Sequence, residues 1–107
     1  MSVLFLPEAE EYLVELTKIL YQKEYFGFKE SATRYVTELV WDIINSLLKK
    51  TTKEAPPYFD KYGANMYYAS FRKNKSTQWY VFFTKNDDVY YINYIANNHT
   101  VAQYIKY

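Results

Sequence analysis

Trp79-Tyr80-Val81-Phe82-Phe83 and Tyr90-Tyr91-Ile92-Asn93-Tyr94-Ile95, joined across Asn86-Asp87-Asp88, are the stretches that decide the fold. Both runs are rich in the aromatic and β-branched side chains that suit a pleated surface, and the polar link is short enough for a hairpin turn. Toward the N-terminus, Met66 to Lys73 has the same composition, and Lys73-Asn74-Lys75-Ser76 supplies a second turn. A three-strand meander over residues 66–73, 77–85 and 89–96 follows. The two central runs are apolar at both parities, whereas a solvated sheet face alternates with charge. The second face must be covered by a terminal helix, or serve another chain or nucleobases.

Upstream of the meander the period changes from two to 3.6. Ala55-Pro56-Pro57 ends the helical region, because proline restricts its neighbour and cannot donate to a ladder. Phe28, Ala32, Tyr35, Val36, Leu39, Val40, Ile43, Ile44, Leu47 and Leu48 fall on one broad face of a helix over about 30–50. Ala9, Leu13, Leu16 and Leu20 form a stripe on an earlier helix over 7–23, flanked by Tyr12 and Ile19. Pro7 suits a first helical position, Glu8, Glu10 and Glu11 complement the dipole there, and Gly27 breaks the chain afterwards. Val3 to Leu6 reads as an edge strand. After Asn97-Asn98, His99 to Ile105 makes one or two helical turns with Val101, Ala102 and Ile105 inward. The fold class is α+β in the order β-α-α-β-β-β-α, a helical hairpin on one face of a small antiparallel sheet.

The 107 residues make one domain, spanning 1–107. With no cysteine there is no disulfide, thiolate metal site or cysteine nucleophile, and one histidine, His99, leaves no material for a histidine-rich metal site. Two glycines, Gly27 and Gly63, exclude a glycine-rich phosphate loop. No cofactor is expected. No run approaches the ~18 apolar residues of a membrane span, and the opening Met-Ser-Val-Leu-Phe-Leu lacks a basic leader, so a cytoplasmic chain without membrane contact is expected. The net charge of +1 conceals an asymmetry: seven Lys/Arg against nine Asp/Glu in residues 1–54, six against three in residues 55–107. Ten of the 14 tyrosines also lie in the second half. So small a surplus gives no strong counterion-release footprint, and any nucleic-acid contact must be local.

The element order, with Tyr68-Ala69-Ser70-Phe71-Arg72, Tyr80-Val81-Phe82-Phe83, Asp87-Asp88 and Asn98-His99-Thr100-Val101-Ala102-Gln103-Tyr104, resembles the RelE/ParE toxins of bacterial type II toxin–antitoxin systems, the plasmid stabilisation family. The resemblance covers nearly the whole chain. It implies a compact toxin neutralised by a cognate antitoxin, whose segment lies across the helices or the sheet. RelE-like members cleave mRNA in the ribosome without metal; ParE-like members inhibit DNA gyrase; an idle member retained for antitoxin binding is a third reading.

Cleavage through the ribose 2′-OH needs a base, an acid for the leaving oxygen, and cations for the charge on phosphorus. His99, with an ordinary pKa of roughly 6.5, is the candidate base. Arg72 and Lys75, flanking the first hairpin turn, are the candidates for phosphate stabilisation, since a guanidinium fork fits phosphate bidentately. Tyr104 falls where the resemblance implies a tyrosine that stacks on a base or assists proton transfer. Lys73 and Lys85 are candidate RNA-binding charges, and Trp79 a candidate stacking platform. Gln78-Trp79 stands where RelE-like nucleases carry an arginine, which counts against cleavage. The topology places the 73–76 turn and the 97–99 junction at one end of the meander, so Arg72, Lys75, His99 and Tyr104 are expected to converge there.

Overall fold

The computed structural model describes residues 2–22 and 29–105. Strand β1 (Ser2–Phe5) leads into helix α1 (Pro7–Gln22) and helix α2 (Lys29–Ser46), which a 3₁₀ turn extends through Leu47–Lys49. A two-residue strand β2 (Lys53–Glu54) and a 3₁₀ segment (Pro57–Tyr62) precede the meander β3 (Tyr67–Arg72), β4 (Gln78–Asn86) and β5 (Val89–Asn97). Helix α3 (Asn98–Val101) and a 3₁₀ turn (Ala102–Tyr104) close the described chain. The expected end of the first helix at residue 23, the break at Gly27 and the placement of Phe28 lie outside the described residues.

The five strands are ordered β1-β5-β4-β3-β2. The sheet is mixed rather than purely antiparallel: β1 runs parallel to β5, pairing Ser2 with Val89 and Phe5 with Ile92. The helical hairpin intervenes between β1 and the meander, so the chain is free to bring β1 back alongside β5 in the parallel sense that a tight turn would forbid. Strand β2 was not expected; it pairs only Lys53 with Tyr68 and Glu54 with Tyr67.

One sheet face meets the helices. Ala9, Leu13 and Leu16 of α1 and Val36, Leu39 and Ile43 of α2 pack with Phe71, Trp79, Val81, Phe83, Ile92 and Ile95. The expected broad apolar face of α2 splits, however: Ile44 and Leu48 are exposed, with Trp41 beside them at 60% exposure. The opposite face carries Tyr68, Tyr80, Phe82 and Ala96 and is covered by Phe59 of the 3₁₀ segment together with Val101 and Ile105. Ala102, expected inward, is exposed. The doubly apolar strands are therefore accounted for inside the chain: among the described residues each sheet face has its own covering layer.

Strand β5 serves both layers through a bulge. Phe83 pairs with Ile92 while Phe82 pairs with Tyr94, so Asn93 is an extra residue without a cross-strand partner. Ile92 and Ile95 thereby reach the same side despite their odd spacing. The released Asn93 side chain accepts from Thr84 Oγ1 at 3.3 Å and donates Nδ2–H to the Tyr62 carbonyl at 3.4 Å. Among the described residues no helix is long and apolar enough to cross a membrane.

Candidate functional site

The β3–β4 turn and the β5–α3 junction meet, as the topology requires, and short polar side chains hold them together. Asn74 Oδ1 accepts from the Ser76 and Thr77 amides, both at 2.9 Å, which fixes the turn. Asn98 bridges the two segments: Oδ1 accepts from the Gln78 amide at 2.8 Å and Nδ2 donates to the Ser76 carbonyl at 3.0 Å. Asn97 caps α3 by accepting from the His99 amide at 2.9 Å. These bonds set the position of His99, whose exposed ring brings Nε2 within 3.4 Å of Thr77 Oγ1. Which of the two donates depends on the imidazole tautomer.

His99 stands on the rim of a cleft of about 570 Å³ between the helical hairpin and the end of the sheet. Leu16, Ile19 and Leu20 of α1 line one wall; Tyr35 and Trp79 lie beneath; Asn74, Thr77, Asn97 and Thr100 complete the rim. Among the described residues no Lys, Arg, Asp or Glu lines it. Its chemistry is that of an apolar slot with amide, hydroxyl and imidazole groups at its mouth.

The other expected site residues lie elsewhere. The Arg72 guanidinium folds onto its own turn, donating Nε–H to the Asn74 carbonyl at 3.1 Å and Nη2–H to the Lys75 carbonyl at 3.4 Å. Lys75 is exposed at the tip. Tyr104 packs with the layer on the opposite sheet face, stacked on Tyr58 with ring centroids 3.5 Å apart and planes 4° from parallel. The expected convergence of Arg72, Lys75, His99 and Tyr104 on one concave patch is thus not formed, because β3 points Arg72 away from the helices and the terminal turn carries Tyr104 across the sheet. Trp79 is only 2% exposed, and its Nε1–H donates to the Tyr35 hydroxyl at 3.1 Å. A ring so enclosed is a floor, not a stacking platform for a base.

Lys73 points back to α2, with Nζ 3.6 Å from Glu38 Oε2 and 5.0 Å from the Tyr35 ring centre. Lys85 lies at the far end of β4 from His99, its Nζ 5.5 Å from the Tyr90 ring centre. Thr77, whose side chain meets His99, and Tyr35, which lines the same cleft, were missed in the sequence. Thr77 carried a readable signal, since it faces residues 97–99 once the hairpin register is drawn; Tyr35 carried none beyond its place on the helix stripe. Comparison with protein-family models, with curated proteins and with solved structures finds no match.

Proposed function

We propose that the protein is the toxin-type member of a toxin–antitoxin pair that acts by binding its target, as the resemblance implies for the gyrase-inhibiting branch, rather than by cutting RNA. The observation that carries the choice is that no cation is among the described residues lining the imidazole's cleft. Among the described residues no Lys or Arg lines the His99 cleft, and the Arg72 guanidinium directs two of its N–H groups to the carbonyls of its own turn. Metal-independent cleavage gathers negative charge on phosphorus and needs fixed donors aimed at it. A lone base without them lacks its larger electrostatic contribution.

The exposed stripe of Trp41 and Ile44 on α2 and Leu48 on its 3₁₀ extension, spaced three and four residues apart, supports a partner chain. Its shape suits an amphipathic antitoxin helix laid along α2. A second reading keeps the ribosome-dependent endoribonuclease, favoured by the exposure of His99 and its contact with Thr77.

The test is induced expression with mapping of cellular mRNA 5′ ends, beside a His99→Ala variant. Growth arrest without new mRNA ends, retained in His99→Ala, is the expected result. Cleavage at defined codon positions that His99→Ala abolishes would overturn the binding reading in favour of the nuclease.

A further inference from the structure

Two carboxamides at the mouth of the His99 cleft have donors to offer and no acceptor. Asn74 Oδ1 accepts from the Ser76 and Thr77 amides at 2.9 Å and from the Ser76 hydroxyl at 3.2 Å. Asn97 Oδ1 accepts from the His99 amide at 2.9 Å. A backbone N–H only donates, so these bonds identify the oxygen of each carboxamide and leave the nitrogen as the remaining group. Both residues line the cleft, and neither Nδ2 has an acceptor among the described residues. Thr77 and His99 face each other across the same mouth at 3.4 Å.

Away from that mouth the cleft is apolar. Leu16, Ile19 and Leu20 make one wall, and Ile19 stays 38% exposed beside an open volume of about 570 Å³. The indole of Trp79 has one N–H, and it donates to the Tyr35 hydroxyl. Among the described residues no formal charge lines the cleft. Lys73, whose Nζ comes within 5.0 Å of the Tyr35 ring centre, lies 3.6 Å from the Glu38 carboxylate. An ion entering the cleft would lose hydration without an opposite charge to replace it.

We propose that the His99 cleft binds an uncharged small molecule with an apolar body and a carbonyl at one end: a ketone, an ester or an amide. The body displaces water from the aliphatic wall and the rings, and the carbonyl oxygen accepts from the carboxamides of the rim. The volume falls within the range of roughly 300–1,000 Å³ usual for small-molecule sites. A hydrocarbon would strip the donors of water and give them nothing in return, whereas a carboxylate or an ammonium would meet no counter-charge. The site does not rest on the toxin reading, so either can fail alone.

The test is a titration of the ¹⁵N-labelled chain with acetophenone and with three compounds of similar size: ethylbenzene, which lacks the carbonyl, benzoate as an anion and benzylamine as a cation. Acetophenone is expected to bind tightest. It should give saturable shifts of the Asn74 and Asn97 side-chain N–H signals that ethylbenzene does not reproduce. The discriminating variant is Asn74→Asp/Asn97→Asp, because aspartate keeps the oxygens that hold the turn and cap α3 while removing the donors. Acetophenone should weaken on the order of tenfold in that variant, and ethylbenzene by less than about twofold. Backbone amide signals of the sheet core, unchanged in the variant, will show that the fold is kept. Equal affinity for ethylbenzene and acetophenone would reassign the cleft to an apolar side chain of a partner chain and overturn the proposal. Tighter binding of benzoate or benzylamine, an acetophenone affinity unaltered in the double variant, or no saturable shift at all would also overturn it.

Discussion

The indole of Trp79 donates to the Tyr35 hydroxyl at 3.1 Å, joining the central strand to α2 across 44 residues of sequence. The bond is a polar stitch between sheet and helices in a largely apolar layer, and both its residues line the His99 cleft. Tyr35→Phe keeps the ring and removes the acceptor, leaving an indole N–H enclosed. A loss of about 1–3 kcal/mol in unfolding free energy is expected from urea titration. An unchanged midpoint would show that the indole finds another acceptor.

Asn98 satisfies two backbone groups of the neighbouring hairpin at once. Asn98→Ala should destabilise the chain by about 1–2 kcal/mol, with the loss concentrated at one end of the sheet. Hydrogen exchange is the discriminating measurement: the Gln78 amide should lose protection while amides in the middle of β4 keep theirs. Uniform acceleration across β4 would contradict a local clasp.

At Gly63 the constraint is space. A Cβ built there would stand 2.7 Å from Asn93 Nδ2 and 3.1 Å from Met66 Sδ. Asn93 holds the Tyr62 carbonyl, so it cannot withdraw without releasing the 3₁₀ segment. Gly63→Ala is expected to cost about 1–3 kcal/mol. The companion change Asn93→Ala in the Gly63→Ala background should recover part of that loss, and strictly additive losses would show that Met66 is the obstacle.

The tyrosines set an alkaline limit. Burial, and then the hydrogen bond with Tyr62, push the Tyr94 phenol well above its ordinary value; burial also raises Tyr12. Each phenol keeps its proton longer in the folded chain than in the unfolded one. Their contribution is complete below the unfolded value of about 10 and is lost as the pH climbs through that value toward the folded one. Unfolding midpoints should hold constant between pH 7 and 9 and fall above about 10. Tyr94→Phe should flatten that fall, and an equally steep fall in the variant would assign it to other groups.

Helices α1 and α2 and the three long strands were legible because each carries a period over many residues, and the ends of the β-meander fell within a residue or two of the expected ranges. The parallel sense of β1 was not legible: four residues carry no record of which way they pair. Lys53–Glu54 and Pro57–Tyr62 escaped for a related reason, being too short for any period to show, and Pro56-Pro57 reads simply as a stop. That omission propagated into the site. Without the 3₁₀ segment, the terminal helix was the only cover the chain offered for the aromatic second face, whereas Phe59 shares that layer and Tyr58 takes Tyr104 in a parallel stack. The meeting of the 73–76 turn with the 97–99 junction was legible because hairpin connectivity alone fixes which end of a strand a junction occupies.

The unpaired residue in β5 has a consequence for how the chain tolerates changes in length. Removing Asn93 would leave Tyr90 and Ile92 alternating directly with Tyr94, Ile95 and Ala96, each still on its present side of the sheet. Most single-residue deletions in a central strand invert every side chain beyond them. Here position 93 is a spare tooth in the rack: it can be withdrawn without putting the two halves of the strand out of phase, at the price of the clasp between Thr84 and Tyr62.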